Sequence, residues 1–176
     1  MMGNKPSRDV NVDTTRVEIP TARSCRSSRH ASHRIASPQS RAAGLRLSVG
    51  IDVVSVAEIS AALDRFGRRY IDRVFTAREG AYCRASATTA EHLAVRFAAK
   101  EAAVKALQPE WQWTDWRAIE VKRHKSGRCA LVLHREAASL ASRRGIRNFA
   151  LSMSHDGDCA AAIVVALRDT IQRPEC

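Results

Sequence analysis

The sequence has no aromatic residue before Phe66, although nine follow from that point on. It has no apolar run approaching the roughly 18 to 20 residues that cross a bilayer, and no apolar stretch near its start that would read as a secretory signal. Its five cysteines, Cys25, Cys83, Cys129, Cys159 and Cys176, are odd in number and never closely spaced. That excludes a disulfide framework and a zinc knuckle. No G-x-x-x-x-G-K-[ST] loop is present to cradle a nucleotide phosphate. Acidic residues are in short supply, with 18 Asp and Glu against 29 Lys and Arg, a formal charge of +11. Such a surplus suits a nucleic acid, a membrane surface or an acidic protein partner equally, so its location has to decide. What remains is a chain of 176 residues, 45% hydrophobic, long enough for one domain with a sizeable core. A cytoplasmic, reducing setting is expected.

Residues 1–44 differ in texture from the rest. They hold three of the five prolines, Pro6, Pro20 and Pro38, and eight basic against three acidic side chains. Without aromatics or apolar periodicity this segment cannot bury enough surface to offset the entropy of ordering it, so a disordered extension is expected. Composition favours an upstream start site or a dispensable tail. An organelle-targeting peptide also fits, because Ile19 to Arg46 is Arg/Ser-rich and free of Asp and Glu. A nucleic-acid arm is the third reading, though it lacks an aromatic to stack on a base. His30 and His33 form a lone H-x-x-H with no further ligand. The folded domain is placed at 45–168, followed by a tail over 169–176.

Within the domain, Leu45, Leu47, Val49, Ile51 and Val53 alternate with Arg46, Ser48, Gly50 and Asp52. The period of two predicts a half-buried strand with Asp52 pointing away from the apolar face, near the strand end. Capping-box signatures follow at Ser55/Glu58, Thr76/Glu79 and Thr88/Glu91, marking three helix starts. The first helix carries Val56, Ile59, Leu63 and Phe66 on one stripe. The third, Thr89 to Leu107, carries Leu93, Phe97, Val104 and Leu107, with Glu101 inside that stripe. After Pro109 a loop with Trp111, Trp113 and Trp116 leads to a strand over Arg117 to His124. A turn at Ser126-Gly127 and a second strand over Cys129 to His134 follow. A short helix, Glu136 to Arg144, ends at Gly145. Phe149, Leu151 and Met153 begin a last hairpin, turned by Asp156-Gly157 and closed by an apolar strand over Cys159 to Leu167. Strands and helices without strict βαβ repetition give an α+β fold, mostly antiparallel sheet packed on the long helix.

A carboxylate in an apolar stripe is costly unless a cation meets it. Asp52 and Glu101 are the candidate pair: brought together, two carboxylates need a bound cation or a shared proton. Hard oxygen donors that leave most of the coordination sphere to water and substrate suit Mg²⁺. His92, Arg96 and Lys100 follow at i, i+4 spacing as a basic ridge, and Lys105 lies one turn from Glu101. A metal flanked by Lys and Arg is a site for phosphate oxygens. The structural alternatives are a solvent-facing Asp52 and an ordinary Glu101–Lys105 bridge. By default, His155 is a solvated turn residue.

The segments Val49-Gly50-Ile51-Asp52, Arg96-Phe97-Ala98-Ala99-Lys100-Glu101-Ala102 with Lys105-Ala106, and Ser152-Met153-Ser154-His155-Asp156 resemble the holo-acyl-carrier-protein synthases. These are the short, single-domain type of 4′-phosphopantetheinyl transferase. The resemblance runs from about Arg46 to Leu167 and leaves the extension unmatched. It implies magnesium ligands at Asp52 and Glu101, with Glu101, Lys105 and Lys100 as the catalytic groups. It implies coenzyme A contacts at Arg96, Lys100, Ser154 and His155. It also implies a homotrimer whose active sites lie between subunits, and an apo acyl carrier protein as partner in fatty-acid and lipid metabolism. No membrane and no nucleic acid is implied.

The implied reaction moves 4′-phosphopantetheine from coenzyme A to a carrier serine and releases adenosine 3′,5′-bisphosphate. Arg65, Arg68, Arg69, Arg73 and Arg78 form a basic stretch that suits an acidic carrier helix, or a solvated face. Departures from the family pattern are Glu58, where a basic residue is frequent, and Cys159, where an aromatic is usual. The tryptophan loop matches no family motif. The alternatives are a carrier-binding homologue serving polyketide or peptide synthetases, and a basic nucleic-acid-binding module. The second leaves Glu101 unexplained.

Overall fold

The computed structural model describes residues 13–16 and 45–169. Strand β1 (Asp13–Arg16) is followed by β2 (Leu45–Ser55), α1 (Val56–Phe66), α2 (Arg68–Val74), α3 (Ala77–Arg84) and α4 (Thr89–Leu107). A 3₁₀ turn at Trp116–Ala118 leads into β3 (Ile119–Arg123) and β4 (Cys129–Leu133), then α5 (Arg135–Arg143), β5 (Ile146–Asp156) and β6 (Cys159–Asp169). One antiparallel sheet has the order β1-β5-β6-β2, and β3 with β4 forms a separate hairpin. The α+β expectation holds. Four residues of the segment expected to be disordered form β1, which pairs along β5 from Asp13↔Leu151 to Arg16↔Asn148. The rest of that segment, including His30 and His33, lies outside the described residues, as does nearly all of the tail. No helix among the described residues is long and apolar enough to cross a membrane.

Helix α4 runs at the predicted bounds and is the centre of the core. Ala94, Ala98, Ala102 and Ala106 repeat every four residues and are fully buried. Alanine there lets the helix backbone lie almost on the sheet, whose facing positions must then also be small. On β2 these are Ser48 and Gly50, and on β6 Ala160, Ala162 and Ala166, with the larger Val164 set opposite Gly50. A Cβ on Gly50 would stand 1.9 Å from the Ala102 carbonyl oxygen, so only glycine fits. Beside it, the Ser48 hydroxyl donates to the Ala106 carbonyl at 2.7 Å.

This packing corrects the expected orientation of β2. The small-residue face is the one buried against α4, and the large aliphatic row looks outward. Leu47 is 65% exposed, Val49 54%, Ile51 61% and Val53 62%, with Ile163 of β6 beside them at 39%. The alternation was legible, but periodicity cannot say which face meets the helix. Glu101 is likewise corrected. It shares with Phe97 and Val104 the half-open side of α4, whereas Leu93 and Leu107 are fully buried.

Two of the three expected caps form. Thr76 and Glu79 make a complete capping box. The Ser55 hydroxyl accepts from the Glu58 backbone N–H, assisted by a residue far along the chain: Asp158 accepts from the Ala57 N–H at 2.6 Å and from the Ser55 hydroxyl at 3.0 Å. The Thr88 side chain makes no cap bond. The last hairpin is turned by Gly157-Asp158 rather than Asp156-Gly157, since Asp156 still pairs with Cys159. Gly157, at φ 54°, supplies the left-handed conformation that the turn needs.

Candidate functional site

Gly50 fixes the site. Because it lets β2 touch α4, the next inward-facing residue, Asp52, arrives beside the half-open side of the helix. There Lys105 Nζ donates to Asp52 Oδ1 at 2.7 Å and to the Ile51 carbonyl at 2.9 Å. The other oxygen, Asp52 Oδ2, is buried with no hydrogen-bond partner. The Glu101 carboxyl stands close enough to Asp52 to feel its charge. Burial first, and then the Asp52 charge, raise its pKa, against the lowering pull of Lys105. The Glu101 charge also reaches Tyr70 of α2, whose phenol is pushed up to about 12, mainly by burial.

The structure therefore brings Asp52, Glu101 and Lys105 together from residues some fifty positions apart. Two carboxylates facing one ammonium leave a net negative charge and an unsatisfied buried oxygen, a costly arrangement that a divalent cation relieves. Among the described residues no group of three or more His, Cys, Asp and Glu converges. The chain thus offers two hard oxygen donors and leaves further positions open, the pattern suited to Mg²⁺ bound together with water and phosphate oxygens.

Lys100 is not part of this group. It is 0% exposed, and its Nζ is taken by Glu79 Oε2 at 2.9 Å, the Trp116 carbonyl at 3.0 Å and the Ile119 carbonyl. Glu79, in turn, accepts from the Thr76 and Val121 N–H groups. Desolvation pushes the Lys100 pKa down while Glu79 pulls it up. With three acceptors for its three N–H donors, Lys100 ties α3, α4 and β3 together and stands apart from Asp52, Glu101 and Lys105, with which it was expected to act. One residue of helix turns the side chain by about 100°, which is enough to separate Lys100 from its neighbour Glu101.

The expected basic ridge is also turned inward. Arg96 is 3% exposed, its guanidinium 4.5 Å over the Tyr82 ring, and its Nη1 donates to the His92 carbonyl at 2.8 Å. His92 stacks on Tyr82 with centroids 5.6 Å apart, and burial, then Arg96, hold its imidazole below the usual value. His155 sits at the other end of α4 from Lys105, its Nδ1 3.4 Å from Glu91 Oε2, and Ser154 beside it is exposed. Sequence reasoning missed Glu79, Tyr70, Tyr82 and Asp158 as contributors. Only Glu79 carried a signal, as a capping residue. Trp113 is buried and Trp116 packs 5.3 Å from Phe97, so the tryptophan loop covers the helix.

A model of the 4′-phosphopantetheinyl transferase superfamily matches residues 48–164. The chain is 41% identical over 120 residues to the holo-[acyl-carrier-protein] synthase of Koribacter versatilis, covering 68% of this chain and 96% of that protein. It is similar to the crystal structure of holo-[acyl-carrier-protein] synthase from Neisseria meningitidis, with TM-score 0.63 and 29% identity over 68% of this chain and 96% of that one. It is also similar to an ACPS–CoA complex from Chronobacterium ammoniagenes, with TM-score 0.62 and 34% identity over 71% of this chain and 98% of that one.

Proposed function

The chain belongs to the 4′-phosphopantetheinyl transferase superfamily, and we propose that it uses the Asp52–Glu101–Lys105 group to modify an apo acyl carrier protein. It is a holo-[acyl-carrier-protein] synthase, transferring 4′-phosphopantetheine from coenzyme A to a carrier serine. The serine Oγ–P bond forms and the pyrophosphate P–O bond breaks, releasing adenosine 3′,5′-bisphosphate. The observation that carries the reading is the buried, unpartnered Asp52 Oδ2 beside the Glu101 carboxyl.

Asp52 and Glu101 would hold Mg²⁺, which would neutralise the pyrophosphate charge that repels a nucleophile. Lys105 holds Asp52 in place and presents an ammonium where charge gathers on the leaving phosphate. Glu101, or a water on the ion it would hold, takes the serine proton. Ser154 and His155 meet the nucleotide end of coenzyme A, with Arg96 as the charge behind them. The protein works as a homotrimer in the cytoplasm. The outward row Leu47, Val49, Ile51 and Val53 supports association, because an apolar patch of this kind on a monomer marks an interface.

Intact-mass analysis of apo carrier proteins from fatty-acid, polyketide and peptide synthases tests the activity and ranks the partners. The expected result is the gain of one phosphopantetheine, abolished by a chelator and restored by Mg²⁺. No mass gain on any carrier, or transfer unaffected by chelation, would overturn the corresponding part. Light scattering at micromolar protein reports the trimer.

A further inference from the structure

Glu91 stands where a capping-box acid is expected, yet the Thr88 side chain makes no cap bond and Glu91 turns elsewhere. Its Oε2 lies 3.4 Å from Nδ1 of His155, which reaches α4 from the end of β5. Next to Glu91, the His92 ring stands 6.3 Å from the His155 ring at 53°, and is itself stacked on Tyr82. Tyr82 is held in turn by the Arg96 guanidinium over its face and by Arg123, whose Nη1 donates to the phenol oxygen. His155 therefore has a carboxylate at one ring nitrogen and a braced aromatic wall beside it. The Glu91 carboxylate faces the Nδ1 side of the ring at ion-pair distance, which leaves Nε2 on the side away from it.

A cavity of about 500 Å³ is lined by Glu91, Thr88, Thr89, Ser60, Asp64 and Asp158 among others, and His155 is not part of its lining. Its size is in the range of small-molecule sites. A carboxylate beside a polyanionic ligand is unfavourable on charge alone. Its presence therefore calls for a second reason, and the His155 contact supplies one.

We propose that Glu91 is a positioning residue for coenzyme A binding, holding His155 by Nδ1 so that Nε2 is presented to the adenine nucleotide. The inference rests on the reading above that His155 meets the nucleotide. Glu91 itself does not touch the substrate, so its removal acts through His155 and on binding rather than on the chemical step.

The test measures KM and kcat for coenzyme A in the full chain and in Glu91→Ala, Glu91→Gln, His155→Ala and the Glu91→Ala/His155→Ala double variant, with thermal unfolding as the check on folding. Glu91→Ala is expected to raise KM about fivefold with kcat within about twofold. Glu91→Gln, which keeps an acceptor for Nδ1–H, returns KM to within about twofold of the parent. In the His155→Ala background, Glu91→Ala adds nothing further. A KM that falls in both Glu91 variants would show that the carboxylate acts only by repelling the substrate, and would overturn the proposal. So would an unchanged KM in Glu91→Ala alongside a raised KM in His155→Ala, or effects that multiply in the double variant. If His155→Ala itself leaves KM unchanged, the nucleotide reading fails first and takes the positioning role with it.

Discussion

Helix α4 carries an acid–lysine arrangement on each of two sides, and the two are finished differently. On one side Lys100 and Glu79 are sealed from water and every polar atom has a partner. On the other, Asp52, Glu101 and Lys105 are half open, with one buried oxygen unmet and a carboxyl whose proton is held too tightly. The same residue types serve both. What separates structure from chemistry here is satisfaction: a closed network has nothing left to offer a ligand, and an incomplete one binds whatever completes it.

Asp52→Ala and Glu101→Ala break the open side. Each is expected to lower Mg²⁺-dependent transfer by on the order of a thousandfold, while unfolding by urea is little changed because a repulsive pair is relieved. Lys100→Met breaks the closed side and should behave in the opposite sense. It leaves Glu79 buried without its cation and costs about 3–5 kcal/mol of stability. Glu79→Gln added to it restores part of that loss, as denaturation of the double variant will show. A Lys100→Met protein that stayed stable but lost transfer would move Lys100 back to the catalytic side.

Gly50→Ala probes what joins the two sides. The new methyl collides with α4, so β2 must shift at a cost of about 1–3 kcal/mol. Asp52 shifts with it, and transfer falls by about a hundredfold. His92→Phe gives the smallest effect. The imidazole is held below its usual value of 6.5, so the folded state favours the neutral ring. Its contribution to stability is present above about 6.5 and is lost as pH falls through the lower folded value. Phenylalanine keeps the stack on Tyr82, so thermal unfolding should become less acid-sensitive below about pH 6.5.

Much of this contrast was legible before any coordinates. The bounds of α4 followed from the cap signal at Thr88 and its apolar stripe, and Glu101 stood out as an acid in that stripe; Asp52, equally at home facing solvent, was joined to it by the resemblance of both segments to the transferase family. Lys100 was expected beside Glu101 because its spacing from His92 and Arg96 matches a basic ridge, and the structure instead buries it against Glu79. Nothing local announces that Glu79, twenty-one positions earlier, will meet it in the core. The outward row of β2 was misread for a related reason. A strand of alternating large and small residues buries whichever face its neighbour demands, and an alanine-lined helix demands the small one. Asp158 was invisible because its partners lie a hundred residues upstream.

That last contact has a practical consequence. Asp158 grips the first turn of α1 from the tip of the β5–β6 hairpin, and the Val56 N–H adds a third bond to the Asp158 carbonyl at 2.9 Å. The start of α1 and the loop that follows His155 are thus joined, though they stand far apart in the chain. An engineer who replaces α1 with that of a relative must transplant residues 157–158 along with it, or the graft will arrive without its clasp.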